Sequence, residues 1–192
     1  MANLLPARRP RASRSVVEEI ASLHWLANQY ELPLHDPTLV AVRGYYRDTM
    51  GKRGKNDRGI YDDAFFVVSP TCFATFNGNV DPSVYREGVA TVCSGIHWFR
   101  PGKHGISGPR PYPAFRPATV GERLPVFRDG QSEPTYGVAT NIHRGGRTTT
   151  SSLGCLTIPP DQWDAFHALL TSELKRAGAK RFPVILVEGP IV

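Results

Sequence analysis

The 192-residue chain contains no apolar run long enough to span a bilayer. Near its amino terminus stand Arg8, Arg9, Arg11 and Arg14. The segment behind them, 16–26, includes Glu18 and Glu19 and so offers no apolar signal core. The expectation is a chain made in the cytoplasm without a signal peptide and with no membrane insertion. Cysteine is scarce and odd in number, at 72, 93 and 155, with no C-x-x-C pair. That excludes a disulfide scaffold and a thiol-rich zinc module, and it suits a reducing compartment. Cys72 and Cys93 sit in apolar runs and read as core thiols. Histidine is also sparse. A set of His97, His104 and His143, with Asp81 or Asp129, matches no compact metal signature such as H-E-x-x-H. No metal and no cofactor is expected. There is no internal repeat and no aromatic pattern of a single-strand-binding module, so nucleic acid is not an expected partner.

Glycine (18) and proline (17) make up about a fifth of the residues, which favours short strands and turns over helices. The formal charge of +6 and pI of about 9.5 suit an anionic partner without choosing one. The expected organisation is a basic, Pro/Arg-rich mobile arm over 1–15 and a single domain over 16–192. Ser15 with Glu18 reads as a capping box opening a helix to about Tyr30, and His24 on it reads as packing or surface. Strands are expected over 39–46, 60–69, 72–76 (ending at the turn Asn77-Gly78-Asn79), within 89–99, and over 124–128, 136–143, 155–158 and 182–187. Residues 101–105 read as a turn. The proline-rich 108–117 reads as an irregular loop. Pro159-Pro160 reads as the first turn of a helix ending near Gly178, with Trp163, Phe166, Leu169, Leu170 and Leu174 on its core face. The fold class is thus α+β, mainly β, with one helix near each end. Asp62 and Asp63 read as surface acids paired with Arg47, Arg53 or Arg58. As strand neighbours they point to opposite faces and cannot flank one glycosidic bond.

The stretch from Thr140 to Pro160 carries the chemistry. His143 ends an apolar segment, and twelve residues on stands Cys155, introduced by Ser152-Leu153-Gly154. Between them is a polar connector with nothing to pack a core. A thiol is a strong nucleophile only as thiolate, and an adjacent imidazole can take its proton. With the two on adjacent strand ends and the connector as a flap, the amides of Gly154 and Cys155 can face a developing oxyanion, while Ser152 orients the ring or the loop. The plainer alternative is a buried strand cysteine and an unrelated surface histidine.

His143 followed by Ser152-Leu153-Gly154-Cys155 resembles the active-site signature of the L,D-transpeptidase family of peptidoglycan enzymes. That signature has a His-Gly start, a connector, Ser-His-Gly-Cys and an arginine two residues on. The match covers about residues 141–158. The segment Gly154–Trp163, Gly-Cys-x-Thr-Ile-x-Pro-x-Gln-Trp, is similar to small phage-encoded proteins with a divergent form of the motif. The resemblance implies an L,D-transpeptidase-like domain with Cys155 as nucleophile, His143 as base, and Ser152 and Gly154 framing the site. Leu153 replaces the second histidine, Thr157 stands at the arginine position, and the connector is shorter than is usual in the family. Arg144 and Arg147 are candidates to bind the substrate carboxylate in place of that arginine, or else belong to a solvated loop. His104 is a candidate contact to substrate or to the His143 loop.

The resemblance implies a partner, peptidoglycan, and a reaction, cleavage of stem-peptide amides through a Cys155 thioester in the manner of a phage endolysin. Without an export signal, such an enzyme needs a separate holin-like release partner or delivery to reach the wall. Three alternatives stay open: a transpeptidase that cross-links or exchanges, a non-catalytic wall-binding or phage structural protein on the same fold, and a metallopeptidase built on the three histidines.

Overall fold

The computed structural model describes residues 4–6 and 8–191. The chain forms helix α1 (Arg14–Ala27), strands β1 (Thr38–Arg43), β2 (Asp63–Val68), β3 (Phe73–Gly78), β4 (Ala90–Val92), β5 (Gly95–His104), β6 (Tyr112–Pro117), β7 (Arg123–Arg128), β8 (Thr135–Val138), β9 (Ile142–Arg144) and β10 (Leu156–Ile158), then helix α2 (Trp163–Ala177) and strand β11 (Phe182–Glu188). The protein is α+β and mostly strand. Eight strands make one sheet in the order β10-β9-β6-β5-β11-β1-β2-β3, and β4-β7-β8 make a second. The large sheet nearly closes on itself. Beyond β3, Asn79 exchanges both backbone hydrogen bonds with Thr157 of β10, at 2.8 and 2.7 Å. No helix among the described residues is long and apolar enough to cross a membrane.

The centre of the sheet is buried on both faces, so its strands are apolar throughout rather than alternating. Leu39 and Ala41 of β1, Phe65 and Val67 of β2, and Val184 and Leu186 of β11 pack toward α2. The intervening Val40, Val42, Ala64, Phe66, Ile185 and Val187 pack toward Val17, Ala21 and Trp25 of α1. Phe166 of α2 meets Phe76, Phe115 and Phe65 edge-on at 5.2, 6.0 and 6.4 Å. Its removal to alanine costs about 3–5 kcal/mol in such a setting. This packing holds the sheet edge on which the site is built.

Several expectations are corrected. The turn expected over 101–105 is strand to His104: β5 runs through Pro101 and Gly102, paired with β6, which takes up 112–117 of the loop expected over 108–117, while 108–111 are irregular as expected. The three prolines of that ladder, Pro101, Pro113 and Pro117, lack N–H groups, but their neighbours keep the pairing. The strand expected over 136–143 is two strands in different sheets, broken at Ala139, whose φ is +55°. Strand β3 continues through Asn77 and Gly78, because Gln162 at the start of α2 hydrogen-bonds both the amide and the side chain of Asn77, each at 3.0 Å. Helix α1 is capped by Ser13, not Ser15, and Glu18 pairs with Arg14 at 2.9 Å. Pro159 and Pro160 precede α2 rather than open it, and Gly178, with φ of +64°, ends it as expected.

Asp62 and Asp63 are not surface acids. Both are fully buried. Asp63 accepts the amides of Gly44 and Val80 at 2.6 Å each, and Asp62 accepts that of Asp57 at 3.0 Å. Cys72 and Cys93 are partly exposed free thiols rather than core residues. Of the 1–15 arm, residues 1–3 and 7 lie outside the described residues. Arg9 bonds the Thr75 carbonyl at 3.1 Å and lies 4.8 Å over the Phe76 ring, and Pro10 is buried.

Candidate active site

Strands β9 and β10 are parallel neighbours, with Ile142 opposite Leu156 and His143 opposite Thr157. A parallel pair needs a crossover of about a dozen residues, and the connector 145–155 is that crossover. It is anchored rather than a free flap. Tyr61 donates to the Gly146 carbonyl at 2.7 Å, Ser83 and Thr150 hydroxyls meet at 2.7 Å, and Ser83 and Ser152 exchange bonds at 2.8 Å. Cys155 stands one residue before β10, beside Asn141. Gly154 has φ of +127°, and a Cβ there would meet the Ala90 carbonyl oxygen at 2.6 Å, so only glycine fits before the cysteine.

The structure brings His143, Cys155 and His104 together. One ring nitrogen of each histidine and the Cys155 sulfur lie within 4.8 Å of one another. His143 is almost fully buried, and its Nδ1 is 2.8 Å from the Arg144 carbonyl and 3.0 Å from the Tyr112 hydroxyl. A carbonyl only accepts, so Nδ1 carries the proton and Nε2 is left with the free lone pair. His104, at the end of β5, stacks on His143 with centroids 3.9 Å apart, and Asn141 Nδ2 is 3.0 Å from its Nδ1. The Cys155 sulfur receives the Asn141 amide at 3.4 Å and points its own hydrogen toward the Ala139 carbonyl at 3.8 Å. The left-handed turn at Ala139 thus aims a carbonyl at the thiol.

Burial sets the protonation states. It pushes the Cys155 thiol up, against the Asn141 amide and the Arg116 guanidinium, which favour the thiolate. Burial and the neighbouring His104 pull His143 down to about 4, against its bond to the Arg144 carbonyl. Burial, with Arg116, lowers His104 as well. The resting site therefore holds a neutral thiol beside a neutral imidazole, not an ion pair.

Ser152 orients the loop, not the ring: its hydroxyl donates to the Cys155 carbonyl at 2.6 Å and accepts the Gly154 amide at 3.0 Å. That engages the Gly154 N–H within the loop and leaves the Cys155 N–H as the motif's amide for an oxyanion. Thr157 is fully buried against Asn79, with no room for an arginine. Arg144 is exposed and lies 5.5 Å over the Tyr112 ring. Arg147 is exposed on the connector, and its carbonyl accepts the Leu4 amide at 2.9 Å.

Cys155 lines a cleft of about 460 Å³ with Gly154, Leu153, Val138, Arg86 and Arg128. Leu153 and Val138 are 61% and 67% exposed, which gives the cleft an apolar rim. A larger cavity of about 610 Å³ beside α1 holds no cysteine and lies away from this chemistry. Arg86, Arg128, Tyr112 and Arg116 join the site without a sequence signal, since each comes from an element distant in the chain, while Asn141 stands two residues before His143. The zinc set of three histidines does not form. His97 instead bonds the Cys93 carbonyl at 2.7 Å, Asp129 pairs with Arg58 at 2.6 Å, and Asp81 pairs with Arg43 at 3.3 Å. No protein-family model matches the chain, and no curated protein matches it either.

Proposed function

We propose that the protein is a cysteine acyl-transfer enzyme that cleaves amide bonds in peptidoglycan stem peptides. The observation that carries it is the meeting of Cys155, which lines a cleft, with the buried His143, whose Nδ1 proton is fixed by the Arg144 carbonyl. The wall substrate is supported by the resemblance of His143 and Ser152–Cys155 to the L,D-transpeptidase signature and by the basic surface.

The chemistry proceeds in two halves. His143 Nε2 takes the thiol proton as sulfur attacks the carbonyl carbon, and the Cys155 N–H donates to the oxyanion. Collapse breaks the C–N bond, and the imidazolium gives its proton to the leaving amine. Water, deprotonated by the same ring, then attacks the thioester, and the thiolate is released and reprotonated. Proton transfer accompanies attack because the resting pair is neutral. The Arg86 guanidinium on the cleft wall is the group suited to a stem-peptide carboxylate.

The test is mass spectrometry of purified sacculi after incubation with the protein and with the Cys155→Ala variant. Soluble peptide fragments from the first and none from the second are expected. New cross-links or exchanged D-amino acids without solubilisation would assign transfer instead of hydrolysis. Equal release by both proteins would end the thiol reading.

A further inference from the structure

His104, His143 and Cys155 come from β5, β9 and the start of β10, and their donor atoms converge to within 4.8 Å. A thiolate and two imidazoles are a donor set that zinc favours, with about 2.3 Å to sulfur and about 2.0–2.1 Å to nitrogen. Tetrahedral ligands at those lengths stand about 3.5 Å apart, so the three side chains need to close by only about 1 Å. The surroundings fit a ligand set as well. His143 Nδ1 is held by the Arg144 carbonyl, which directs Nε2 to a ligand, as metal-bound histidines are held. Asn141 sits against His104 Nδ1, and its Oδ1 is buried with no partner. Turning that amide presents Oδ1 to an Nδ1–H and frees His104 Nε2. Cys155 also lines the cleft, so one member of the set is reached from it.

We propose that His104, His143 and Cys155 form a three-ligand site for one Zn²⁺ ion, and that zinc occupancy silences Cys155 as a nucleophile. On binding, the thiol proton leaves to solvent, the sulfur lone pair bonds to the metal, and the His143 lone pair no longer serves as base. Zinc thus acts as a reversible off-switch on the site. The site rests on the convergence of the three donors, whatever the thiol's natural substrate.

The experiment uses the full chain, freed of metal by a chelator. Zinc chloride titrated by calorimetry should bind one ion per chain at about 1 µM or tighter. Cobalt in its place should give a thiolate charge-transfer band. Losing one metal ligand costs more than losing a group behind it, which costs 10–100-fold. Cys155→Ala and His104→Ala should therefore each weaken binding at least about 100-fold, and Cys72→Ala should not. One equivalent of zinc should slow iodoacetamide alkylation of Cys155, read by peptide mass, at least about tenfold, with recovery on adding chelator. No binding, binding unchanged in both ligand variants, or unchanged Cys155 alkylation with zinc bound would each overturn the proposal. So would zinc-stimulated release of fragments from sacculi. Zinc binding by a protein that releases nothing from metal-free sacculi would remove the peptidoglycan reading and keep this one.

Discussion

Two groups of buried polar residues sit in one sheet and obey different rules. Around β1 and β2, Arg43, Asp62, Asp63 and Asp81 are enclosed, and most of their atoms are spent. Arg43 reaches Asp81 at 3.3 Å, Glu188 at 2.7 Å and the Val92 carbonyl at 2.6 Å. Asp63 uses both oxygens on backbone amides. At the β9–β10 edge, His143 is also buried, but its ring meets His104 and Cys155, and Cys155 lines a cleft. Burial alone does not mark a functional group. What separates the clusters is whether the lone pairs are already committed to the fold.

The comparison makes its largest claim about Cys155 and Arg43. Cys155→Ala should cut fragment release about 10³-fold or more and cost only about 1 kcal/mol of stability in urea. Arg43→Met leaves Asp81 buried without its cation and should cost about 3–5 kcal/mol. If the cysteine variant is the unstable one and the arginine variant unfolds like the parent, the two clusters have been assigned the wrong way round.

Acid should separate them by sign. His143 is drawn from 6.5 down to about 4, so its contribution is complete above pH 6.5 and is lost as pH falls toward 4. The full loss is about 3 kcal/mol. Asp62 is pushed up to about 7 by burial, so its protonated form is the favoured one, and stability is lost as pH rises through that value. The two windows overlap between about pH 4 and 7 with opposite sign, so in chelator the melting temperature of His143→Gln should rise less with pH than the parent's across that range, and that of Asp62→Asn should rise more. The parent's kcat/KM should keep its acid limb near 4, not 6.5. A limb at the ordinary histidine value would show that the ring is solvated in the working enzyme.

Smaller effects sharpen the active cluster. Tyr112→Phe removes the hydroxyl 3.0 Å from His143 Nδ1 and leaves the Arg144 carbonyl, so kcat should fall about fivefold without a change in fold. Arg86→Ala should raise KM about five- to tenfold with kcat held, while Arg147→Ala, off the cleft, should do neither. The reverse pattern would move the carboxylate-binding side from the cleft wall to the connector.

The chain order alone singled out the thiol and the imidazole that meet in the fold. Cys155 and His143 were legible because glycine before a cysteine and a polar connector between apolar segments are local features. The α2 face, its Gly178 stop and the β11 strand were legible for the same reason. Strands β5 and β6 were misread because Pro101, Gly102 and the prolines of 108–117 are turn formers by local preference. Only pairing across the hairpin, Lys103 opposite Pro113 and His104 opposite Tyr112, holds them extended. His104, named as a candidate contact to the His143 loop, does meet His143, but from a strand end rather than from a turn.

The sequence by itself determined a mainly β α+β chain and singled out one imidazole and one thiol, because residue type and short spacing carry that information. The tertiary structure decided the rest. It buried Asp62 and Asp63, replaced the expected flap with an anchored crossover, assigned Ser152 to the loop and the Arg144 carbonyl to the ring, and brought His104, Arg86 and Arg128 to the site. Each of those depends on contacts between residues far apart in the chain, and parallel pairing and sheet closure, not local preference, create them.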